Sequence, residues 1–149
     1  MIDNPNTGMS LIVKTITRLT VGLILLFGIY IVLHGHLSPG GGFAGGVIIA
    51  LSFIHLMLAF GKEAVASKIS TRLASNLESI GALMFLGIAL MGFFGGSFFL
   101  NILNKGLPFN LFSAGTIPLS NIAISLKVGI GLLAIFLALV ILENVKKEK

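Results

Sequence analysis

The sequence predicts an all-α integral membrane protein with four transmembrane helices and both termini in the cytoplasm. Of its 149 residues, 56% are hydrophobic and only 10% are charged, and the mean hydropathy is +1.07. Soluble domains carry about 25% charged residues, so this composition indicates a chain with little mass outside the bilayer. Four apolar segments have about the 20 residues that cross roughly 30 Å of hydrocarbon as an α-helix. They lie at about 11–34, 41–60, 77–100 and 119–142, and residues 1–149 are taken as a single membrane domain.

The formal net charge is +5, and the sequence contains no cysteine. The charge does not indicate nucleic-acid binding, because no soluble basic face is available to carry it. Without cysteine the chain forms no disulfide, iron–sulfur cluster or usual structural zinc site. The sequence also holds no nucleophile–base constellation and no phosphate-binding loop. We therefore predict no catalytic residue, metal site or cofactor in the chain itself, although it remains compatible with a subunit of an ion-pumping redox complex.

The first helix is predicted to begin near Leu11, after a short polar tail. A basic flank before an apolar run is also typical of a secretory signal peptide, but no small-residue cleavage site follows here. We interpret the segment as a retained membrane helix. Lys14 and Arg18 are expected to extend to the membrane surface.

The second helix carries small or polar residues on one side at helical spacing. That side is predicted to face protein, because small residues let helices approach closely in a membrane. Its members are Gly41, Gly45, Ile48, Ser52, His55 and Ala59.

The third and fourth helices are separated by a loop at 101–118 that mixes apolar and polar residues. Its segment 107–112 is expected to lie along the membrane interface or against another subunit. Pro118 suits the first turn of the fourth helix, where its missing N–H is not needed.

The basic residues predict the orientation of these helices. Cytoplasmic loops carry an excess of Lys and Arg. With a cytoplasmic N-terminus, only Lys105 lies outside, and Lys127 lies within the membrane. The other eight lie on the cytoplasmic side: Lys14, Arg18, Lys62, Lys68, Arg72, Lys146, Lys147 and Lys149.

The turn between the first two helices is the most distinctive stretch of the chain. Pro39 disfavours a helical Ser38, so the first helix is expected to end near His34. Two overlapping pairs of small residues then begin the second helix: Gly41 with Gly45, and Gly42 with Gly46. Such pairs permit close packing against a neighbouring helix. The bulky Phe43 between them is expected to act as an anchor or plug.

This turn resembles the signature of the MnhB/MrpB family. The residues that match are Gly35, His36, Pro39, Gly40, Gly41, Gly42, Phe43, Gly45 and Gly46. The segment from Asn121 to Gly129 also resembles the family's last helix. The resemblance implies four membrane helices and a multi-pass subunit of a Na+/H+ antiporter in the cell membrane. It implies other membrane subunits, Na+ and H+ as partners, and roles in ion translocation and complex assembly.

Three alternatives stay open from the sequence. The same module occurs in energy-converting membrane hydrogenases, where redox chemistry in other subunits drives ion pumping. A small stand-alone channel or assembly protein is a third possibility. For the turn itself, the alternative is a glycine-rich connection between two membrane helices that serves only packing.

Lys127 is the clearest candidate for ion translocation. It lies about 8 residues into the predicted fourth helix, roughly 12 Å from the outer boundary at 1.5 Å per residue. A cation at that depth must be paired, neutralised or hydrated. No acid is expected at the same depth, so its partner is expected to be another subunit or water. A lysine with only a structural pairing role is the alternative.

Four further residues are candidates for ion translocation. His55 lies toward the cytoplasmic end of the second helix, and Glu78 is predicted in the first turn of the third, where a carboxylate also favours the helix dipole. A contact between His55 and Glu78 is possible. His34 and His36 flank the outer turn, where hydrogen bonding or proton relay suits imidazole. For both His55 and Glu78 a purely structural role is the alternative.

Overall fold

A computed structural model describes residues 9–61, 70–111 and 113–147, and the side chains of Thr71 and of residues 141–147 lie outside that description. The described chain is helical, with four helices: α1 (Leu11–Leu33), α2 (Gly41–Phe60), α3 (Thr71–Met91) and α4 (Ile117–Lys147). A short 3-10 helix at Gly92–Gly95 extends α3. All four α-helices are long and apolar enough to cross a membrane. The predicted all-α class with four membrane helices is confirmed.

The first two helices follow the predicted bounds closely, whereas α3 is displaced. It begins at Thr71 rather than near residue 77, because the Ser70 side chain accepts a hydrogen bond from the Leu73 N–H at 3.2 Å and caps the helix. It ends at Met91 instead of near residue 100. From Gly92 to Gly95 the backbone tightens into a 3-10 turn, and Gly96 adopts a left-handed conformation with φ 103°.

The helices do not pack in chain order. The most extensive contacts join α1 to α2, α2 to α4, and α3 to α4, while α1 and α4 touch less. The second helix is therefore central, between α1 and α4. The third helix lies against the side of α4. The ends of α2 that carry the glycine motif and His55 are consequently enclosed on two sides.

Large buried side chains are few. Met57 and Leu133 form the centre of an apolar cluster between α2 and α4, with Phe53 and Phe136 packed around it. Many large apolar side chains instead point outward, such as Leu19 at 72% and Leu23 at 67% exposed. Outward-facing hydrocarbon is typical of a surface that meets lipid or other membrane subunits.

One asparagine, Asn101, stabilises the loop between α3 and α4 through two hydrogen bonds. Asn101 Nδ2 donates to the Ala114 carbonyl oxygen at 2.8 Å, and Asn101 Oδ1 accepts from the Thr116 N–H at 3.1 Å. Leu107 and Phe109 remain 73% and 88% exposed. This exposure suits the predicted contact of the segment 107–112 with the membrane interface or a subunit; Phe112 lies outside the described residues.

Candidate functional site

The glycines of the turn between α1 and α2 and of the start of α2 divide into two groups. One group allows a positive φ, and the other allows close packing. Gly40 and Gly41 have positive φ values of 122° and 58°, which residues with a Cβ rarely adopt. They turn the chain from the outer connection into α2. Gly42, Gly45 and Gly46 lie within α2 and have no positive φ, so close packing is the reason for their small size.

Gly45 and Gly46 face two different helices. A Cβ atom on Gly45 would lie 2.9 Å from the Gly28 carbonyl oxygen of α1. A Cβ on Gly46 would lie 2.9 Å from the Ser125 carbonyl oxygen of α4. Real Cβ atoms do not approach backbone oxygen so closely, so both interfaces depend on glycine. The sequence predicted close packing. Gly42 and Gly46 both face α4. Gly45 faces α1, whereas its pair member Gly41 lies beside Asn121 of α4.

Asn121 completes the junction between the turn and α4. Its Oδ1 accepts a hydrogen bond from the Gly42 N–H at 3.2 Å, and the residue is only 9% exposed. This bond satisfies one of the amide donors that a helix leaves open at its first turn. Sequence reasoning recorded Asn121 only as part of a resemblance. A polar amide within an apolar helix was the signal that could have singled it out.

Pro39 and Phe43 lie on the outside of this junction. Pro39 is exposed in the turn, and Phe43 is 65% exposed although glycines flank it. Phe43 therefore points away from the helices of its own chain. It is available to lipid or to another subunit, which suits an anchor more than a plug within this chain.

His34 and His36 bond to different elements. His34 Nδ1 donates to the Tyr30 carbonyl oxygen at 3.0 Å, and its ring stacks on the Tyr30 ring with centroids 4.1 Å apart. His36 Nε2 donates to the Asn110 carbonyl oxygen at 3.1 Å. Carbonyl oxygen only accepts, so each of these nitrogens must carry the proton. His34 thus ends α1, whereas His36 joins the turn to the outer loop.

His55 packs against α1 and makes no described contact with Glu78. Its Nε2 lies 3.2 Å from Thr17 Oγ1 and 3.5 Å from Thr20 Oγ1. Thr17 is fully buried. The structure therefore places the partly buried His55 in a polar cluster between α1 and α2, where the two hydroxyls can satisfy its ring nitrogen.

Lys14 belongs to the same half of α1 and is only 7% exposed. This burial places the side of α1 that carries Lys14 against the rest of the chain, and the extension of Lys14 to the membrane surface stays a prediction. Lys14 and Thr17 are three residues apart and share a helix face. That polar spacing was the available signal, which sequence reasoning missed. Arg18 lies with its guanidinium carbon 5.3 Å from the centre of the Phe60 ring, a cation–π contact.

Lys127 and Glu78 form an ion pair between α4 and α3. Lys127 Nζ donates to Glu78 Oε1 at 2.8 Å, and the two side chains are 50% and 37% exposed in the isolated chain. The expectation that Lys127 finds no acid at its depth is wrong. Because α3 begins at Thr71, Glu78 is seven residues into the helix, about 10 Å along its axis, and not in the first turn.

Gly81 allows α3 to lie close enough for this pair. A Cβ on Gly81 would lie 2.9 Å from the Lys127 backbone nitrogen and 3.0 Å from the Ala123 carbonyl oxygen. The two helices are therefore in backbone contact one turn from Glu78. The resulting arrangement holds opposite charges together near the middle of α4, where neither would be stable alone.

Comparison with known proteins identifies relatives over most of the chain. Residues 12–134 match a family described as a domain related to the MnhB subunit of the Na+/H+ antiporter. An uncharacterized protein of Methanocaldococcus jannaschii is 36% identical over 138 residues, which are 85% of this chain and 52% of that protein. A Staphylococcus aureus (strain MRSA252) protein named "Putative antiporter subunit mnhB2" is 40% identical over 90 residues, 60% of this chain and 63% of that protein.

The fold of this chain is also found in a protein of known structure. It is a chain of the membrane-bound sulfane sulfur reductase, described as an archaeal respiratory membrane complex, with a TM-score of 0.75 and 35% identity. The match covers 89% of this chain and 59% of that chain. This chain thus spans between about half and two thirds of the length of these relatives.

Proposed function

The chain belongs to the family of membrane domains related to the MnhB subunit of Na+/H+ antiporters, and we propose that it serves as a non-catalytic subunit of such an antiporter in the cell membrane. Its partners would be other membrane subunits of the complex, and its ions Na+ and H+. The family match over residues 12–134 supports this proposal. The four helices that can cross a membrane agree with it.

The ion pair of Lys127 and Glu78 is the observation that carries an ion-translocation role. A lysine and a glutamate at hydrogen-bonding distance can exchange partners as a cation or proton passes. Intramembrane ionisable pairs are costly to maintain and commonly mark ion pathways. We propose that three histidines contribute further polar positions near the two ends of α2: His34 and His36 before its start, and His55 toward its end.

Substitution of Lys127 tests this role directly. Lys127→Ala leaves Glu78 without its described partner and should lower cation/proton exchange about tenfold or more, which about 1.4 kcal/mol at the limiting step would produce. Lys127→Arg keeps a charge that is not given up. If Lys127 must release a proton, both variants should lose exchange. Exchange is measured in vesicles by a pH-sensitive dye, alongside recovery of the assembled complex.

The controls separate transport from assembly. Lys105→Ala removes a lysine from the outer loop and should leave exchange unchanged. If Lys127→Arg retains full exchange while Lys127→Ala loses it, Lys127 acts through pairing alone. Full exchange by a correctly assembled Lys127→Ala complex would refute any role of this pair in translocation.

A second function has a specific observation in its favour. The matched solved structure is part of an archaeal respiratory membrane complex, so the same module could translocate ions in an energy-converting complex driven by redox subunits. Neighbouring genes distinguish the two. Membrane subunits alone would support the antiporter, whereas added nickel–iron and iron–sulfur subunits would support the hydrogenase-type complex.

A further inference from the structure

We propose that the surface of α3 and α4 around Glu78 and Lys127 is covered, in the assembled protein, by a transmembrane helix of another subunit that presents a hydroxyl or amide side chain. This proposal concerns assembly and stands whether or not the ion pair takes part in transport. It rests on the exposure of the pair, on its unused hydrogen-bonding capacity, and on the small residues beside it.

Among the residues that the structure describes, Lys127 and Glu78 use only part of their hydrogen-bonding capacity. A lysine ammonium has three donors and an ionised carboxylate accepts through both oxygens. The described residues provide one bond, from Lys127 Nζ to Glu78 Oε1. The side chains are 50% and 37% exposed, so the remaining donors and acceptors are open to the outside of the chain.

Such a surface is not suited to hydrocarbon. Lys127 is ten residues after Ile117 and thirteen before Val140, near the centre of a membrane-spanning segment of 24 residues. Polar groups in the hydrocarbon region that find no partner are strongly destabilising. Some polar material must therefore cover the pair at this depth.

The neighbouring residues favour a helix over a headgroup or a wide aqueous space. Ala134 follows Lys127 at i+7, and Ala82 follows Glu78 at i+4, so each lies on the same helix face as its charged neighbour, and both are partly exposed. Small residues on a membrane-facing surface let another helix approach closely. A hydroxyl or amide supplies both the acceptor that Lys127 needs and the donor that Glu78 needs.

Spin-label accessibility in the intact complex tests this surface. The chain contains no cysteine, so Ala82→Cys introduces a single labelling site beside the pair without removing either charge. Collision of the label with lipid-soluble oxygen and with a water-soluble nickel chelate is measured in reconstituted vesicles. The same label at Leu23→Cys, on the apolar outer side of α1, is the matched control for lipid exposure.

A label at residue 82 that collides with neither reagent would support the proposal. Frequent collision with oxygen, as at residue 23, would show that lipid covers the surface. Frequent collision with the nickel chelate would show a water-filled cavity, and either result would overturn the proposal. Labelling at residue 82 can also release another subunit while this chain stays in the membrane. Such a release, if labelling at residue 23 does not cause it, would also support the contact. Cation/proton exchange by Lys127→Ala is a separate measurement, so failure of the transport role is distinguishable.

Discussion

The contact between His55 and Thr17 shows how a polar side chain is accommodated inside this helical bundle. Thr17 is fully buried, and its Oγ1 lies 3.2 Å from His55 Nε2. His55 is partly buried, so a ring nitrogen that loses its partner here is only partly compensated by solvent. Placing the hydroxyl on α1 therefore fixes how α1 and α2 face each other.

Thr17→Val tests this contact, since valine keeps the shape and removes the hydroxyl. We expect a loss of about 0.5–1.5 kcal/mol in the free energy of unfolding, the net contribution of a typical hydrogen bond. Thermal unfolding of the purified complex would measure it. Thr15→Val is the matched control, because Thr15 Oγ1 bonds only its own helix at the Leu11 carbonyl oxygen, on an exposed side. Equal stability of the two variants would contradict the assigned role of Thr17.

At the scale of the element, α2 is defined by glycines that face two helices. Gly45 contacts α1 at Gly28, and Gly46 contacts α4 at Ser125. Membrane helices lack a hydrophobic force to drive them together, so close packing of this kind supplies much of their association. The position of α2 between α1 and α4 follows from glycines on both of these sides.

Gly45→Leu should separate α1 from α2 and disrupt assembly of the complex. The added side chain would overlap Val32 and approach the Gly28 carbonyl oxygen. We expect most of the intact complex to be lost when it is quantified by native gel electrophoresis. Gly22→Leu is the control, because a Cβ at Gly22 meets nothing within 4 Å in the described chain. Normal recovery of the complex with Gly45→Leu would count against the assigned packing.

At the scale of the whole molecule, the basic residues predict which way the helices are oriented in the membrane. If all four helices cross the membrane, α1 begins and α4 ends on the same side, and the distribution of basic residues predicts that this side is the cytoplasm. The turn that holds His34, His36 and Pro39 would then face outward. The ion pair of Lys127 and Glu78 would lie between the two surfaces.

Cysteine labelling in intact cells measures this orientation. A cysteine at Ser38, in the outer turn, should react with a membrane-impermeant maleimide added outside. A cysteine at Ser67, in the predicted cytoplasmic loop, should react only after the cells are opened. Both positions reacting from one side would contradict the four-helix topology, and reversed accessibility would contradict the cytoplasmic termini.

Much of the fold was predictable because membrane helices are determined by local properties. Hydrocarbon demands about 20 consecutive apolar residues with internally bonded backbones, and sequence reveals such segments directly. The bounds of α1 and α2 followed from the length of their apolar segments. The close packing of Gly45 and Gly46 followed from the spacing of small residues. The displaced start of α3 did not, because Ser70 caps a polar first turn that hydropathy alone assigns to a loop.

By itself, the sequence determined the helical class, the number of spans, and the glycine turn that carries the family signature. Only the tertiary structure decided which residues meet. Lys127 and Glu78 are 49 positions apart, and their contact depends on the register of α3 against α4, which backbone contact at Gly81 sets. His55 meets Thr17 rather than Glu78 because α2 packs against α1, whereas Glu78 lies on α3, which packs against α4. Helix formation is governed by neighbouring residues, whereas register between helices is governed by packing across the whole bundle.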